Sequence, residues 1–158
     1  MAQEIERKFL VKGDFKEEAF KATRVVQGYL SSVPERVVRV RLKGEQGFIT
    51  IKGGADPSGV SRFEWEKEIA KDEALSLLQL CEPGVIEKTR YLIHNTDGNH
   101  VWEVDEFHGD NEGLVIAEVE LSEENETFGR PQWLGEEVTG DNRYYNAALK
   151  DNPYKNWK

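Results

Sequence analysis

The first charged residues of the chain alternate with a period of two. They lie in the run Glu4-Ile5-Glu6-Arg7-Lys8. In a β-strand, residues i, i+2 and i+4 point to one face, so Glu4, Glu6 and Lys8 share a face. The two carboxylates are then roughly 6–7 Å apart along the strand. Oxygen ligands at that spacing suit a shared hard cation, and the neighbouring lysine suits an anion.

Charge pairs of this kind recur along the chain and are sorted by sign. The basic pairs are Arg39/Arg41 and Lys88/Arg90, and the acidic pairs are Glu64/Glu66, Glu103/Asp105 and Glu118/Glu120. One such pair is ordinary, because antiparallel sheets often have a solvated charged face. Like charges at i and i+2 repel, however, unless an opposite charge lies between them. Purely basic strands beside purely acidic ones therefore indicate a site that holds cations and a polyanion together.

Length and charge limit the class of protein. The chain has 158 residues, which predicts a single domain over 1–158. Its net charge is −9, which disfavours nucleic acid and anionic membranes as partners. Basic residues concentrated on a few strands of an acidic protein indicate a small, highly charged anion enclosed by protein.

Cysteine content and hydropathy bear on location. The single cysteine, Cys81, rules out an internal disulfide and fits a reducing compartment. No apolar run approaches the roughly 20 residues that span a bilayer, and no basic segment followed by an apolar one opens the chain. We therefore expect a cytoplasmic protein with no membrane association.

The patterning predicts mostly strands. Strands are expected at 3–11, 24–31, 36–43, 47–52, 60–69, 86–94, 100–107 and 114–121. Helices are expected at 14–22, where Asp14 and Glu17 form a capping box, at 73–80 after Asp72, and at 142–150. Because most connections are short, the sheet is expected to be antiparallel.

The apolar residues of these strands fall on the parity opposite to the charged pairs. Val38, Val40 and Leu42 alternate with Arg39 and Arg41 in this way. An ordinary sheet with its charged face in solvent is the simpler interpretation, but the sign sorting favours charges that point inward. We predict an α+β protein: a closed eight-stranded antiparallel β-barrel with a charged lumen and helices packed outside.

The ordered motifs resemble the CYTH superfamily of triphosphate tunnel metalloenzymes. The resemblance rests on the ExExK motif at 4–8, RVRL at 39–42, TIK at 50–52, FEWE at 63–66, EKTRY at 87–91, WEVDEF at 102–107 and AEVE at 117–120. It covers the chain from the first strand to about residue 150. It implies a tunnel that binds a triphosphate and a divalent metal, Mg²⁺ or Mn²⁺.

The resemblance also implies residue roles. Phosphate-binding residues are expected to be Lys8, Arg39, Arg41, Lys52, Lys88 and Arg90, because such cations grip phosphate oxygens. Metal ligands are expected to be Glu4, Glu6 and Glu120 for a first ion and Asp105 and Glu118 for a second. The catalytic set is expected to be Glu4, Glu6, Lys8, Glu118 and Glu120. Glu64, Glu66 and Glu103 are expected to orient the basic side chains.

The expected activity is hydrolysis of inorganic triphosphate by metal-activated water. The chain has no Walker loop and no serine or cysteine nucleophile motif, so a covalent intermediate is not expected. Two alternatives stay open: a class IV adenylate cyclase, which needs a base pocket, and a non-catalytic polyphosphate- or nucleotide-binding module, which needs the basic residues but not all of the acidic ones. The residues also leave open the oligomeric state and the role of segment 142–158.

Overall fold

Eight antiparallel strands close into a barrel. The computed structural model describes the backbone of residues 3–157 and the side chains of residues 4–157. The strands are β1 Gln3–Val11, β2 Ala19–Val33, β3 Arg36–Lys43, β4 Gln46–Ala55, β5 Ser61–Ile69, β6 Ile86–His94, β7 Val101–Phe107, β8 Val115–Glu120 and β9 Leu134–Glu137. The α-helices are α1 Lys71–Leu78 and α2 Asn146–Leu149, with 3₁₀ turns at Lys16–Glu18, Gly109–Asn111, Asn142–Tyr144 and Tyr154–Asn156.

The ring closes through the first strand. Its order is β5-β4-β3-β2-β6-β7-β8-β1, and β1 returns to β5 through pairs that include Glu4 with Arg62 and Ile5 with Ser61. Beyond these pairs the same edge of β1 continues with β9 and the residues after it, where the Val138 N–H donates to the Lys8 carbonyl at 2.8 Å. We call this shared edge the seam. The predicted closed antiparallel barrel is confirmed.

Most predicted strands are present, but the predicted helix at 14–22 is wrong. Only Lys16–Glu18 forms a 3₁₀ turn, without a side-chain cap, and β2 starts at Ala19. Residues 19–27 pair with β6, so sheet hydrogen bonds override the local helix signal. Phe15, expected on an apolar helix face, is instead buried against Tyr91 with ring centroids 5.3 Å apart.

Helices cover only part of the barrel's outer wall. α1 begins one residue before Asp72 and packs on β2, β3 and β4. Its Ala74 lies so close to Gly47 that a Cβ there would be 2.7 Å from the Ala74 Cβ. Elsewhere irregular segments supply aromatic cover: Trp133 packs edge-on against Trp102 at 5.6 Å. No helix within residues 3–157 is long and apolar enough to cross a membrane.

An apolar cluster fills one end of the lumen, which we call the plug. From the strands it takes Tyr29, Val37, Ile86, Phe107 and Ile116, and from the C-terminal segment Val138, Tyr144 and Leu149. The strand residues share the inward parity of the charged pairs, so the lumen changes from charged to apolar along its length. The predicted helix at 142–150 is thus only partly correct. It is broken at Tyr145, whose backbone is extended.

We predict that the plug stabilises the fold. Leu149 is 0% exposed, so Leu149→Ala should lower the free energy of unfolding by about 3 kcal/mol through lost burial and the cavity left behind. Denaturant unfolding measures this. Leu80→Ala is the matched control, because Leu80 is 73% exposed and should change stability little. Equal changes in the free energy of unfolding for the two substitutions would contradict a stabilising role for the plug.

Candidate active site

A cavity of about 850 Å³ lies inside the barrel, at the charged part of the lumen. The strands direct alternate side chains into it, as the charge parity predicted. Of the sequence-predicted site residues, its wall includes Glu4, Glu6, Lys8, Arg39, Arg41, Lys52, Lys88, Arg90, Glu118 and Glu120. Asp105 is the one predicted site residue that does not line the cavity.

Strand β3 contributes two buried arginines that share one acceptor. The Glu66 Oε1 atom lies 3.8 Å from Arg39 Nη2 and 3.5 Å from Arg41 Nη2. Thr50 donates to the same oxygen at 2.7 Å. The Nε atoms of both arginines are buried without a hydrogen-bond partner among the described residues. Each guanidinium therefore retains donors for an anion in the cavity.

Two lysines bracket the acidic part of the site. Lys52 Nζ lies 2.9 Å from Glu4 and 3.7 Å from Glu64. Lys8 Nζ lies 3.6 Å from Glu118, and it also donates to the backbone carbonyl of Tyr144 at 3.4 Å. Both lysines are thus fixed at the cavity wall before any ligand arrives.

Asp105 is buried outside the cavity lining and pairs with both a lysine and an arginine of the cavity. Arg90 grips it with two hydrogen bonds of 2.8 and 2.9 Å, and Lys88 Nζ lies 2.8 Å from its Oδ2. Burial raises the pKa of Asp105, but the charges of Arg90 and Lys88 outweigh burial and lower it. Because both carboxylate oxygens are occupied, this geometry favours a positioning role for Asp105 over the predicted role as a metal ligand.

The remaining carboxylates separate into paired and unpaired groups. Burial raises the pKa of Glu4 and of Glu118, but Lys52 lowers that of Glu4 overall, and Lys8 and Arg90 lower that of Glu118 to about 2. In contrast, Glu6 and Glu120 have no ion pair within residues 4–157. They face each other as register partners on β1 and β8.

The unpaired carboxylates have the electrostatics of a cation site. Burial, Glu118 and Glu4 raise the pKa of Glu6 well above its ordinary value. Burial and Glu4 also raise the pKa of Glu120. Within residues 4–157 no three acidic, histidine or cysteine side chains are already gathered for a metal. The chemistry of the all-oxygen donor set still fits a hard divalent cation that keeps several waters.

Two residues at the cavity were not identified from the sequence. Arg62, on β5, lines it and has no carboxylate within 4.0 Å among the described residues. Because Arg62 alternates in phase with Glu64 and Glu66, the sequence pattern could have indicated that it points into the lumen. Asn146 reaches the cavity from the C-terminal segment and accepts a hydrogen bond from Lys88 at 3.2 Å. No periodic pattern marks Asn146, because it lies outside the strands.

Comparison with known families agrees with this arrangement. The CYTH domain model matches residues 2–147. The chain belongs to the CYTH family. It is 49% identical to an inorganic triphosphatase of Acetivibrio thermocellus, over 100% of this chain and 99% of the relative. It is 39% identical to an inorganic triphosphatase of Nitrosomonas europaea, over 92% of this chain and 95% of that one.

Solved structures of CYTH-like proteins have the same architecture. The inorganic triphosphatase NE1496 matches with a TM-score of 0.67 and 37% identity, over 95% of both chains. HpAC1 from Hippeastrum, described as a putative adenylyl cyclase with dominant triphosphatase activity, matches with a TM-score of 0.57 over 76% of this chain and 80% of its own. Its identity is 13%, so that likeness shows the fold alone.

We predict that repulsion at Glu6 destabilises the metal-free protein. Because its pKa is raised on folding, the penalty is absent below the pKa of an unfolded glutamate, about 4.3. It appears as the pH rises through that value and is complete above the folded pKa. Glu6→Gln should therefore raise the melting temperature in chelator at pH 8 and change it little at pH 4.

The control for this experiment is Glu17→Gln, which alters an exposed carboxylate outside the cavity. It should leave the melting temperature nearly unchanged at both pH values. A destabilised Glu6→Gln protein at pH 8 would show that the carboxylate is favourably paired in the folded state.

Proposed function

We propose that this chain is a divalent-metal-dependent triphosphatase that hydrolyses inorganic triphosphate to pyrophosphate and orthophosphate. One observation carries the proposal: a single cavity has eight cationic side chains beside two facing carboxylates that have no ion pair within residues 4–157. The eight cations are Lys8, Arg39, Arg41, Lys43, Lys52, Arg62, Lys88 and Arg90. The two inorganic triphosphatases that align along most of this chain support the same activity.

The basic residues bind the substrate by its phosphate oxygens. Arg39, Arg41 and Arg90 offer planar forks that hold two oxygens at once. Their carboxylate partners, Glu66 and Asp105, keep them pointed into the cavity without neutralising every donor. Three consecutive phosphates offer these cations more negative charge and more oxygens than one phosphate does, and this favours a polyphosphate over a single phosphate.

In this proposal the acidic residues would hold the metal. Glu6 and Glu120 are the primary ligands in this proposal, with Glu4 beside them and Glu118 available once Lys8 turns to the substrate. A bound Mg²⁺ or Mn²⁺ neutralises phosphate charge and lowers the pKa of a coordinated water. Asp105 is assigned to positioning Lys88 and Arg90.

Hydrolysis also requires a water molecule beside the terminal phosphorus and side chains that bind the leaving pyrophosphate. Water oxygen adds to the terminal phosphorus as the bridging P–O bond breaks, and pyrophosphate leaves with the bond's electrons. The basic strands stabilise the charge that develops on the pyrophosphate. Lys8 lies between Glu118 and the C-terminal segment, and in this proposal it contacts the transferred phosphoryl group.

The proposal places the enzyme in the cytoplasm, with a small-molecule triphosphate as its substrate. The single cysteine fits a reducing compartment, and the acidic net charge disfavours nucleic acid and anionic membranes. The cyclase alternative needs a pocket for adenine. The full-length relatives favour triphosphate hydrolysis, since the cyclase-like neighbours share the fold alone.

We predict a specific product pattern with the purified protein. With Mg²⁺ or Mn²⁺, inorganic triphosphate should give orthophosphate and pyrophosphate faster than ATP gives phosphate, and ATP should give no cyclic AMP. Chelator should abolish the activity. Phosphate release and nucleotide chromatography measure both outcomes, and cyclic AMP formation with negligible triphosphate hydrolysis would establish the cyclase instead.

We predict that two arginines of the cavity differ in what they support. Arg62→Ala removes a cation that has no carboxylate partner in the part of the chain that the structure describes, so kcat/KM should fall by about 10–100-fold with little loss of stability. Arg90→Ala should lower both kcat/KM and stability, because it removes the bidentate partner of buried Asp105.

The matched control for these variants is Arg24→Ala. Arg24 is exposed on β2, where it pairs with Glu87 outside the cavity. Neither activity nor stability should change appreciably. An Arg62→Ala enzyme with wild-type kcat/KM would remove Arg62 from the proposed substrate site.

A further inference from the structure

Asn146 connects the C-terminal segment to the phosphate-binding wall. Its Oδ1 atom accepts hydrogen bonds from Lys88 Nζ at 3.2 Å and from Gln27 Nε2 at 3.1 Å. Gln27 is 0% exposed, and Lys88 is 1% exposed and bound to Asp105. The amide of Asn146 is therefore tied to two fixed side chains at the inner end of the cavity.

These two hydrogen bonds determine which way the amide points. Lys88 Nζ lies 2.8 Å from a carboxylate oxygen of Asp105 and so acts as a donor, and we therefore assign the atom of Asn146 that faces Lys88 as its oxygen. The Nδ2 group, with two N–H donors, then points the other way. It has no acceptor among the described residues, and Asn146 lines the cavity.

The segment that carries Asn146 is anchored on both sides. Leu149 is buried in the plug, as is Tyr144. The Tyr144 carbonyl accepts from Lys8, and the Tyr145 ring lies 4.7 Å from Lys8 Nζ. Anchors this close restrict how far the Asn146 amide can move, so its free donors are held at the cavity.

We propose that Asn146 is a further substrate-binding residue, which donates from Nδ2 to a phosphate oxygen while its Oδ1 holds Lys88. This inference rests on the proposed function, because the ligand is the triphosphate of that reaction. It gives the C-terminal segment a direct part in the site. A neutral donor beside Lys88 adds a directed hydrogen bond to the charge that the lysine supplies.

A double-mutant cycle separates direct donation from an effect exerted through Lys88. Isothermal titration calorimetry with inorganic triphosphate, in chelator, measures the wild type, Asn146→Ala, Lys88→Met and the double variant. Asn146→Ala should weaken binding by about 10-fold in the wild-type background. It should weaken binding by a similar factor in the Lys88→Met background, because the donor acts on the substrate itself.

Two further variants keep the experiment decisive. Asn146→Asp retains the acceptor for Lys88 and Gln27, so it preserves these hydrogen bonds if the alanine variant does not fold. It replaces the donors with an anionic oxygen and should weaken binding at least as much. Asn152→Ala, at an exposed position of the same segment, is the control and should bind as the wild type does.

The outcomes distinguish this inference from the proposed function. Wild-type affinity in Asn146→Ala or Asn146→Asp overturns the inference and leaves the triphosphatase proposal intact. A loss of affinity that Asn146→Ala causes only when Lys88 is present also overturns direct donation. A wild-type protein that neither binds nor hydrolyses triphosphate overturns both.

Discussion

A cation inside a barrel is stable only where an acceptor compensates for the water that it loses. This constraint shapes the lumen. Lys88 and Arg90 share Asp105, and Arg39 and Arg41 share Glu66. Acidic residues of one strand lie within ion-pair distance of basic residues on nearby strands. Sorting the charges by strand therefore lets these strands close into a ring without leaving most of the buried cations unpaired.

This pairing of opposite charges is incomplete on one side of the cavity. Within residues 4–157, Glu6 and Glu120 face each other without a cation in ion-pair distance, and Arg62 has no carboxylate within 4.0 Å. In the proposed function these groups are the ones that a metal and a phosphate chain would satisfy. Ligand binding would then depend on side chains whose charges the fold itself leaves without a partner among the described residues.

The inward charges and the bounds of several strands were predictable, because both depend on a period of two that is visible locally. Arg36–Lys43 and Ile86–His94 have their predicted limits. The error at 14–22 arose because sheet pairing with β6 overrides a helix-like local pattern. Asn146 was not predictable, because its contacts with Gln27 and Lys88 join residues far apart in sequence, 119 and 58 positions away.

The seam has a consequence for how the chain folds. β1 is made first, yet its partners are β5, β8 and β9, all much later in the sequence. Pairings between distant segments must overcome a large loop-closure entropy, so barrel closure should be a late and slow step. During synthesis, both edges of β1 remain without hydrogen-bonded partner strands until the later strands have been made. A nascent chain therefore exposes Glu4 and Glu6, which we propose as metal ligands, long before the barrel can enclose a ligand.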